Sequence, residues 1–256
     1  MPQFAAFTRP WSQWGAEACF RGAAAAGYDG VGLMGGRVFS RDSTPAELDA
    51  LRATLDALGA PPLANMPRVP LDGTADDIAD AFRAEIDAAL KLSVRDLVLL
   101  GAHRPETYPI YLDGCKAAAP YAAERGVRLG LKPHGGLTLT SEDLLRCVQY
   151  VDSPAFGISY DAGNLIHYAE QPPTWLLDEM LPHIVSMCVK DIRGGKGGDV
   201  NIEPGTGVCD LPAIFARLQA GGFDGPYVVE CLGGATEEDI LERAQRTLAN
   251  MRAWLA

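Results

Sequence analysis

Apolar positions along this chain come in two rhythms that alternate from end to end. Short apolar runs of four to six residues are separated by longer stretches in which apolar residues recur at helical spacing. The runs predict strands at Phe4–Thr8, Gly30–Met34, Pro62–Asn65, Asp96–Gly101, Arg128–Lys132, Phe156–Asp161, Ile184–Lys190 and Tyr227–Glu230. Between them, helices are expected at Ser12–Ala26, Thr44–Leu58, after Thr74, between Thr107 and Arg125, at Ser141–Val151, near Thr174–Leu181, at Asp210–Ala220 and after Thr236. Thr44, Thr74, Ser141 and Thr236 stand where N-caps belong. The segment after Thr74 carries Ile78, Phe82, Ile86 and Leu90 on one helical face. The last carries Ile240, Ala244, Leu248, Met251 and Leu255. Eight strand-then-helix units in 256 residues predict an α/β fold, a single (β/α)8 TIM barrel spanning residues 1–256. No Ser- or Pro-rich linker divides the chain, so Arg193–Pro204 reads as a loop over the site rather than a boundary.

Alternation within the strands assigns their faces. Leu129 and Leu131 oppose Gly130 and Lys132. Phe156, Ile158 and Tyr160 oppose Gly157, Ser159 and Asp161. Val185, Met187 and Val189 oppose Ser186, Cys188 and Lys190, and Tyr227 and Val229 oppose Val228 and Glu230. The bulky apolar sets suit the layer between strands and helices, which leaves Lys132, Asp161, Cys188 and Glu230 pointing into the barrel at its C-terminal end. That end carries the active sites of such barrels. A lysine there is costly unless it is paired or used.

Composition narrows the partners. Hydrophobic residues make up 48% of the chain, enough for a sizeable core, and the net charge is −11. An acidic chain is a poor match for nucleic acid or an anionic membrane surface. Most of the acid, including Asp76, Asp77, Asp80, Glu85 and Asp87, is expected on helix surfaces. The first residues lack a basic segment followed by a long apolar one, and no run approaches the roughly 18–20 apolar residues of a membrane span. The six cysteines show neither a CxxC pair nor zinc-like spacing, so reduced thiols in a cytoplasmic protein are expected, most of them small core residues.

Several motifs together carry a family resemblance. Gly27-Tyr28-Asp29-Gly30-Val31-Gly32-Leu33, Val189-Lys190-Asp191-Ile192, Pro204-Gly205-Thr206-Gly207 and the closing run from Leu211 through Gly225 to Val228-Val229-Glu230 resemble signatures of the xylose isomerase-like TIM barrel superfamily. That superfamily includes sugar phosphate isomerases and epimerases and family 2 AP endonucleases. The resemblance spans nearly the whole chain. It implies a divalent metal held by Glu, Asp, His and Glu on strands five to eight. Matched position by position, this chain has Lys132, Asp161, Cys188 and Glu230. Lys132-Pro133-His134 stands for the family's Glu-Pro-His, Asn164 replaces a helper histidine, and Gly32 replaces a second-strand Glu.

These departures define the functional expectations. An ammonium does not ligate metal while protonated. Beside Asp161 and Glu230, Lys132 would stand in for the cation and polarise a substrate oxygen, leaving a carboxylate as base. Two other readings stay open: Lys132 as a Schiff-base nucleophile, and a metal kept by Asp161, Glu230, Cys188 and His134. A purely structural ion network is the non-catalytic counterpart. The candidate catalytic residues are Lys132, Asp161, Glu230 and His134; the candidate substrate-binding residues are Asn164, His167, Cys188 and Lys190. The cofactor reading is none, or one divalent metal (Mn, Mg or Zn). The expected partner is a small carbohydrate, not nucleic acid or membrane, and a homo-oligomer is compatible. The expected activity is a sugar or keto-sugar isomerase or epimerase working by proton abstraction next to a carbonyl. The alternatives are a keto-sugar lyase or hydratase eliminating from a 3-keto-glycoside-type substrate, and a non-catalytic carbohydrate-binding barrel. Trp11 and Trp14 fit either a site cover or a hydrophobic cap, and Gly194–Gly198 fits a flexible lid. His103 and His183 are expected at the surface, and Lys190 either touches substrate or pairs with Asp191.

Overall fold

The computed structural model describes residues 1–256. Eight parallel strands close in chain order: β1 Gln3–Phe7, β2 Gly30–Met34, β3 Pro62–Met66, β4 Asp96–Leu99, β5 Arg128–Leu131, β6 Phe156–Tyr160, β7 Ile184–Val189 and β8 Pro226–Val229, with β8 pairing back onto β1. Around them lie α1 Ala16–Ala26, α2 Pro45–Ala57, α3 Ala75–Lys91, α4 Tyr108–Glu124, α5 Ser141–Val151, α6 Ala162–Ala169, α7 Leu177–Met180, α8 Leu211–Ala220 and α9 Glu237–Trp254. The single (β/α)8 barrel anticipated from the pattern is the fold observed.

Four helices begin with a threonine that accepts the N3 amide while an N3 acid accepts the threonine amide: Thr44 with Glu47, Thr74 with Asp77, Thr140 with Asp143 and Thr236 with Asp239. These reciprocal bonds satisfy amide groups that a helix start leaves free. The cap of α5 is therefore Thr140, not Ser141. Ser141 sits inside the first turn, and its buried Oγ has no partner. The first expected helix also divides: a 3-10 turn over Ser12–Trp14 ends at Gly15, whose φ is 92°, before α1 starts. α6 was not anticipated. It opens directly at the end of β6, and the helix expected near Thr174–Leu181 is reduced to the single turn of α7 and a following 3-10 turn.

The larger core lies between strands and helices and contains Leu129, Leu131, Phe156, Ile158, Tyr160, Met187, Val189, Tyr227 and Val229. A smaller one fills the barrel with Ala5, Phe7, Ala64, Met66, Val98, Cys188 and Val228. Strand parity is thus as expected, with one exception. The β6–β7 register shifts between Ile158 and Ser159. Val185 then faces the inward glycines: a Cβ added to Gly130 or Gly157 would lie 2.9 or 2.7 Å from its methyls. The extra residue of a bulge breaks the two-residue alternation locally. At Gly32, a Cβ would lie 2.5 Å from the Phe7 ring, so an aromatic side chain fills that place.

Trp11 is 1% exposed and packs flat on Gly22 of α1, which makes it a core cap rather than a cover over the site. Glu85 is the one acid of its group that is not on the surface: it is buried, with Arg41 3.8 Å away. All six cysteines are unpaired and buried. No helix is long and apolar enough to cross a membrane.

Candidate active site

At the C-terminal end of the barrel, the residues following β5, β6, β7 and β8 are Lys132, Asp161, Lys190 and Glu230. Each is fully or almost fully buried. Lys132 Nζ lies 3.0 Å from Asp161 Oδ2 and donates a hydrogen bond to Glu230 Oε2. Lys190 Nζ lies 3.3 Å from the same Asp161 oxygen and 3.0 Å from the same Glu230 oxygen. Two ammonium groups therefore alternate with two carboxylate oxygens. Glu230 Oε1 turns the other way and meets Arg9 Nη1 at 3.3 Å. Arg9 follows the end of β1, and its side chain is 39% exposed, so it forms the open side of the cluster.

Local chain geometry explains how each group is aimed. Asp161 is the N-cap of α6: its Oδ1 accepts the Asn164 amide at 2.9 Å, leaving Oδ2 for the lysines. Asn164, in the first turn of α6, donates from Nδ2 to the Pro133 carbonyl at 2.7 Å and accepts from Lys190 Nζ at 2.9 Å. It thereby ties the Lys132 loop to Lys190. Gly163 leaves room for the lysine stem, since a Cβ there would lie 2.8 Å from Lys190 Cγ. Of the two alternatives for Lys190, the pairing with Asp191 does not form. Asp191 instead accepts four backbone amides, from Ile192, Gly205, Gly207 and Cys209, at 2.8–3.0 Å, and so shapes the loop after β7.

Protonation follows from these contacts. Burial works against the Lys132 ammonium, but the carboxylates of Glu230 and Asp161 hold its pKa well above the usual lysine value. Burial also opposes the charge of Lys190, which Asp161 and Glu230 nevertheless hold upward. For Glu230, burial would raise the pKa; Lys132 and Lys190 outweigh it and draw it well below the usual carboxylate range. Burial, then Lys132, pushes His134 down to about 4, so its imidazole is neutral. Burial pushes the Cys188 thiol up to about 12. With Arg9, Lys132 and Lys190 set against Asp161 and Glu230, the cluster holds one more cation than anion.

The sequence-derived candidates divide accordingly. Lys132, Asp161, Glu230, Lys190 and Asn164 come together. Cys188 is close, with Sγ 3.7 Å from Ser159 Oγ, and donor atoms of Asp161, Cys188 and Glu230 lie within 4.8 Å of one another. His134 stands outside that donor group, its ring edge-on to His103 and Tyr168 and its buried Nδ1 without a partner. His167 contacts the Gly198 carbonyl through Nδ1 at 3.2 Å, while its own carbonyl accepts the Gly197 amide at 2.9 Å. It anchors the glycine-rich loop, which Arg193 and Asp199 close with an antiparallel bridge. Arg9 was missed. Its signal was its place at the end of the first strand, where a barrel presents functional groups.

A family model described as xylose isomerase-like TIM barrel matches residues 20–252. The chain belongs to that family. Inosose dehydratase of Geobacillus thermodenitrificans is 26% identical over 141 residues, covering 49% of this chain and 47% of that protein. L-ribulose-5-phosphate 3-epimerase UlaE of Salmonella paratyphi C is 28% identical over 200 residues, covering 73% of this chain and 67% of the epimerase. The match thus spans about half of the first relative and two thirds of the second. Among solved structures, a xylose isomerase-like barrel of Mycobacterium smegmatis in complex with magnesium shares the fold, with a TM-score of 0.80 over 100% of this chain and 98% of that one, at 16% identity.

The donor set of this chain does not suit such a dication. Asp161 Oδ2 and Glu230 Oε2 already receive two ammonium groups, the thiol of Cys188 is held protonated, and no imidazole joins them. A dication placed between those oxygens would meet Lys132 head-on.

Proposed function

We propose that this barrel isomerises or epimerises a keto-sugar through an enolate, with the buried ammonium of Lys132 taking the place of a metal. The observation that carries the reading is the sharing of Lys132 Nζ between Asp161 and Glu230 at the catalytic end of the barrel. Two relatives support the class: an epimerase acting on a ketose phosphate and a dehydratase of an inosose.

Glu230 is the base. It is the carboxylate that faces Arg9 and the open side, whereas Asp161 is enclosed and committed to the α6 amide. The C–H electron pair next to the carbonyl becomes the enolate double bond, the proton passes to Glu230, and the negative charge grows on the carbonyl oxygen. Lys132 and Lys190 are the donors that meet it. Preorganised charge in a water-poor site is effective because little reorganisation accompanies the reaction. The cation excess leaves positive charge uncompensated until the oxyanion forms. As the lysines turn toward substrate, Glu230 loses part of the field that holds its pKa down and becomes a stronger base. Asp161 and Asn164 position the two lysines. The raised pKa of Lys132 argues against Schiff-base chemistry, which requires the neutral amine.

The dehydratase relative favours one second reading: the same enolate expels a β-hydroxyl group, and the product is an unsaturated ketone plus water. Incubation of a panel of neutral and anionic keto-sugars in heavy water tests both. Wild type is expected to place solvent deuterium on carbon in at least one of them. Glu230→Gln and Lys132→Met are expected to lower that rate by about a hundredfold or more. Absence of exchange across the panel, or unchanged exchange in both variants, would sink the enolate reading. The product skeleton, saturated or unsaturated, then separates isomerisation from elimination.

A further inference from the structure

Beside the cluster, between the loops that follow β1, β2, β7 and β8, lies a cavity of about 460 Å³. Its lining includes Arg9, Arg37, Ser12, Gln13 and Asn201, together with the Gly233–Gly234 backbone. No aspartate or glutamate lines it, although the chain carries 33 of them and a net charge of −11. Arg37 is exposed, and its guanidinium makes no hydrogen bond or ion pair within the chain. Arg9 has one partner, the Oε1 of Glu230, which leaves the rest of its five-donor fork free. An unpaired arginine and one with donors to spare, lining one concave site without carboxylates, suit a planar or tetrahedral oxyanion.

We propose that this cavity binds the anionic end, a phosphate or carboxylate, of the substrate, so that the barrel acts on an anionic keto-sugar. The inference rests on the enolate reading above for the word substrate, and on the cavity alone for the anion. Arg9 connects the two: it touches Glu230 with one nitrogen and lines the cavity with the remainder. An anion held there places the carbon skeleton against the open side of the cluster, where Glu230 meets Arg9. The cavity is wide enough for the anionic group and part of a sugar chain, and Ser12, Gln13 and Asn201 supply uncharged donors for the remaining oxygens.

Binding of three probes to the full chain tests this by calorimetry: inorganic phosphate, D-gluconate and neutral D-fructose, each with wild type, Arg37→Ala and Arg37→Lys. Phosphate or gluconate is expected to bind wild type more tightly than fructose. Arg37→Ala should weaken that binding by about tenfold or more, and Arg37→Lys by less, because the charge survives while the fork is lost. The tighter of the two anions identifies the substrate as a sugar phosphate or a sugar acid. Anion binding no stronger than that of fructose, or insensitive to Arg37→Ala, overturns the proposal. Arg37 is exposed, so these variants should fold; matching circular dichroism spectra and melting temperatures verify it. Deuterium exchange in the same samples keeps the two claims apart. Anion binding without exchange on any keto-sugar discards the enolate reading and leaves the anion site standing. Exchange on a neutral keto-sugar without anion binding discards only the anion site.

Discussion

At the scale of single residues, the molecule shows how burial and charge set protonation. Lys132 and Glu230 are both buried, yet each stays charged because the other is there. A lone charge at either position would be driven toward its neutral form. Glu85 is the counterexample. Burial outweighs the backbone and charge of Arg41 and raises its pKa from 4.5 to about 7, while its Oε2 has no partner. The folded state therefore binds this proton more tightly than the unfolded chain does. The penalty from Glu85 is greatest above pH 7 and fades as the pH falls toward 4.5. Replacing it by the neutral Glu85→Gln is expected to stabilise the protein at pH 8 by on the order of 1–3 kcal/mol. The gain should shrink by pH 5, read from urea midpoints of variant and wild type in the same buffers. A gain that does not change with pH would refute this account. His134 also titrates near this window, but it is common to both proteins and cancels.

At the scale of elements, short polar signals decide where helices start and where functional groups point. The four threonine caps share one geometry, and α5 offers a direct contrast. Thr140 accepts the Asp143 amide at 3.2 Å, whereas Ser141, one residue later, makes no side-chain bond. Thr140→Ala should cost about 1 kcal/mol. Ser141→Ala should be neutral or slightly stabilising, because it removes a buried hydroxyl without a partner. Thermal unfolding of the two variants decides the matter, and equal losses would show that the helix start is read wrongly. α6 was hidden because Gly163 and Asn164 are poor helix formers and Asp161 looked only like a strand end. The same residues are what the site needs: Asp161 caps the helix with one oxygen and binds lysine with the other, and Gly163 admits the Lys190 stem. Helix propensity was set aside locally in favour of the site.

At the scale of the whole molecule, closing the barrel brings four strand ends, far apart in the chain, to one point. Two ammonium groups and two carboxylates there predict how the protein treats metal. Wild type is expected to purify without a stoichiometric divalent ion. Lys132→Glu, which removes one ammonium and adds a carboxylate, is expected to acquire about one per chain, measured by elemental mass spectrometry. A stoichiometric ion in wild type would mean that the lysines move aside and that the surrogate idea fails. The alternating pattern by itself determined the barrel and the inward parity of Lys132, Asp161, Cys188 and Glu230, because side-chain direction along a strand depends on local backbone geometry alone. The tertiary structure decided the rest. It turned Lys190 toward Asp161 and Glu230 and away from Asp191, drew Arg9 into the cluster, left His134 outside the donor group and opened an acid-free cavity beside Glu230. Those outcomes depend on a helix cap at Asp161 and on loops from opposite ends of the chain meeting over the barrel, which no local pattern encodes.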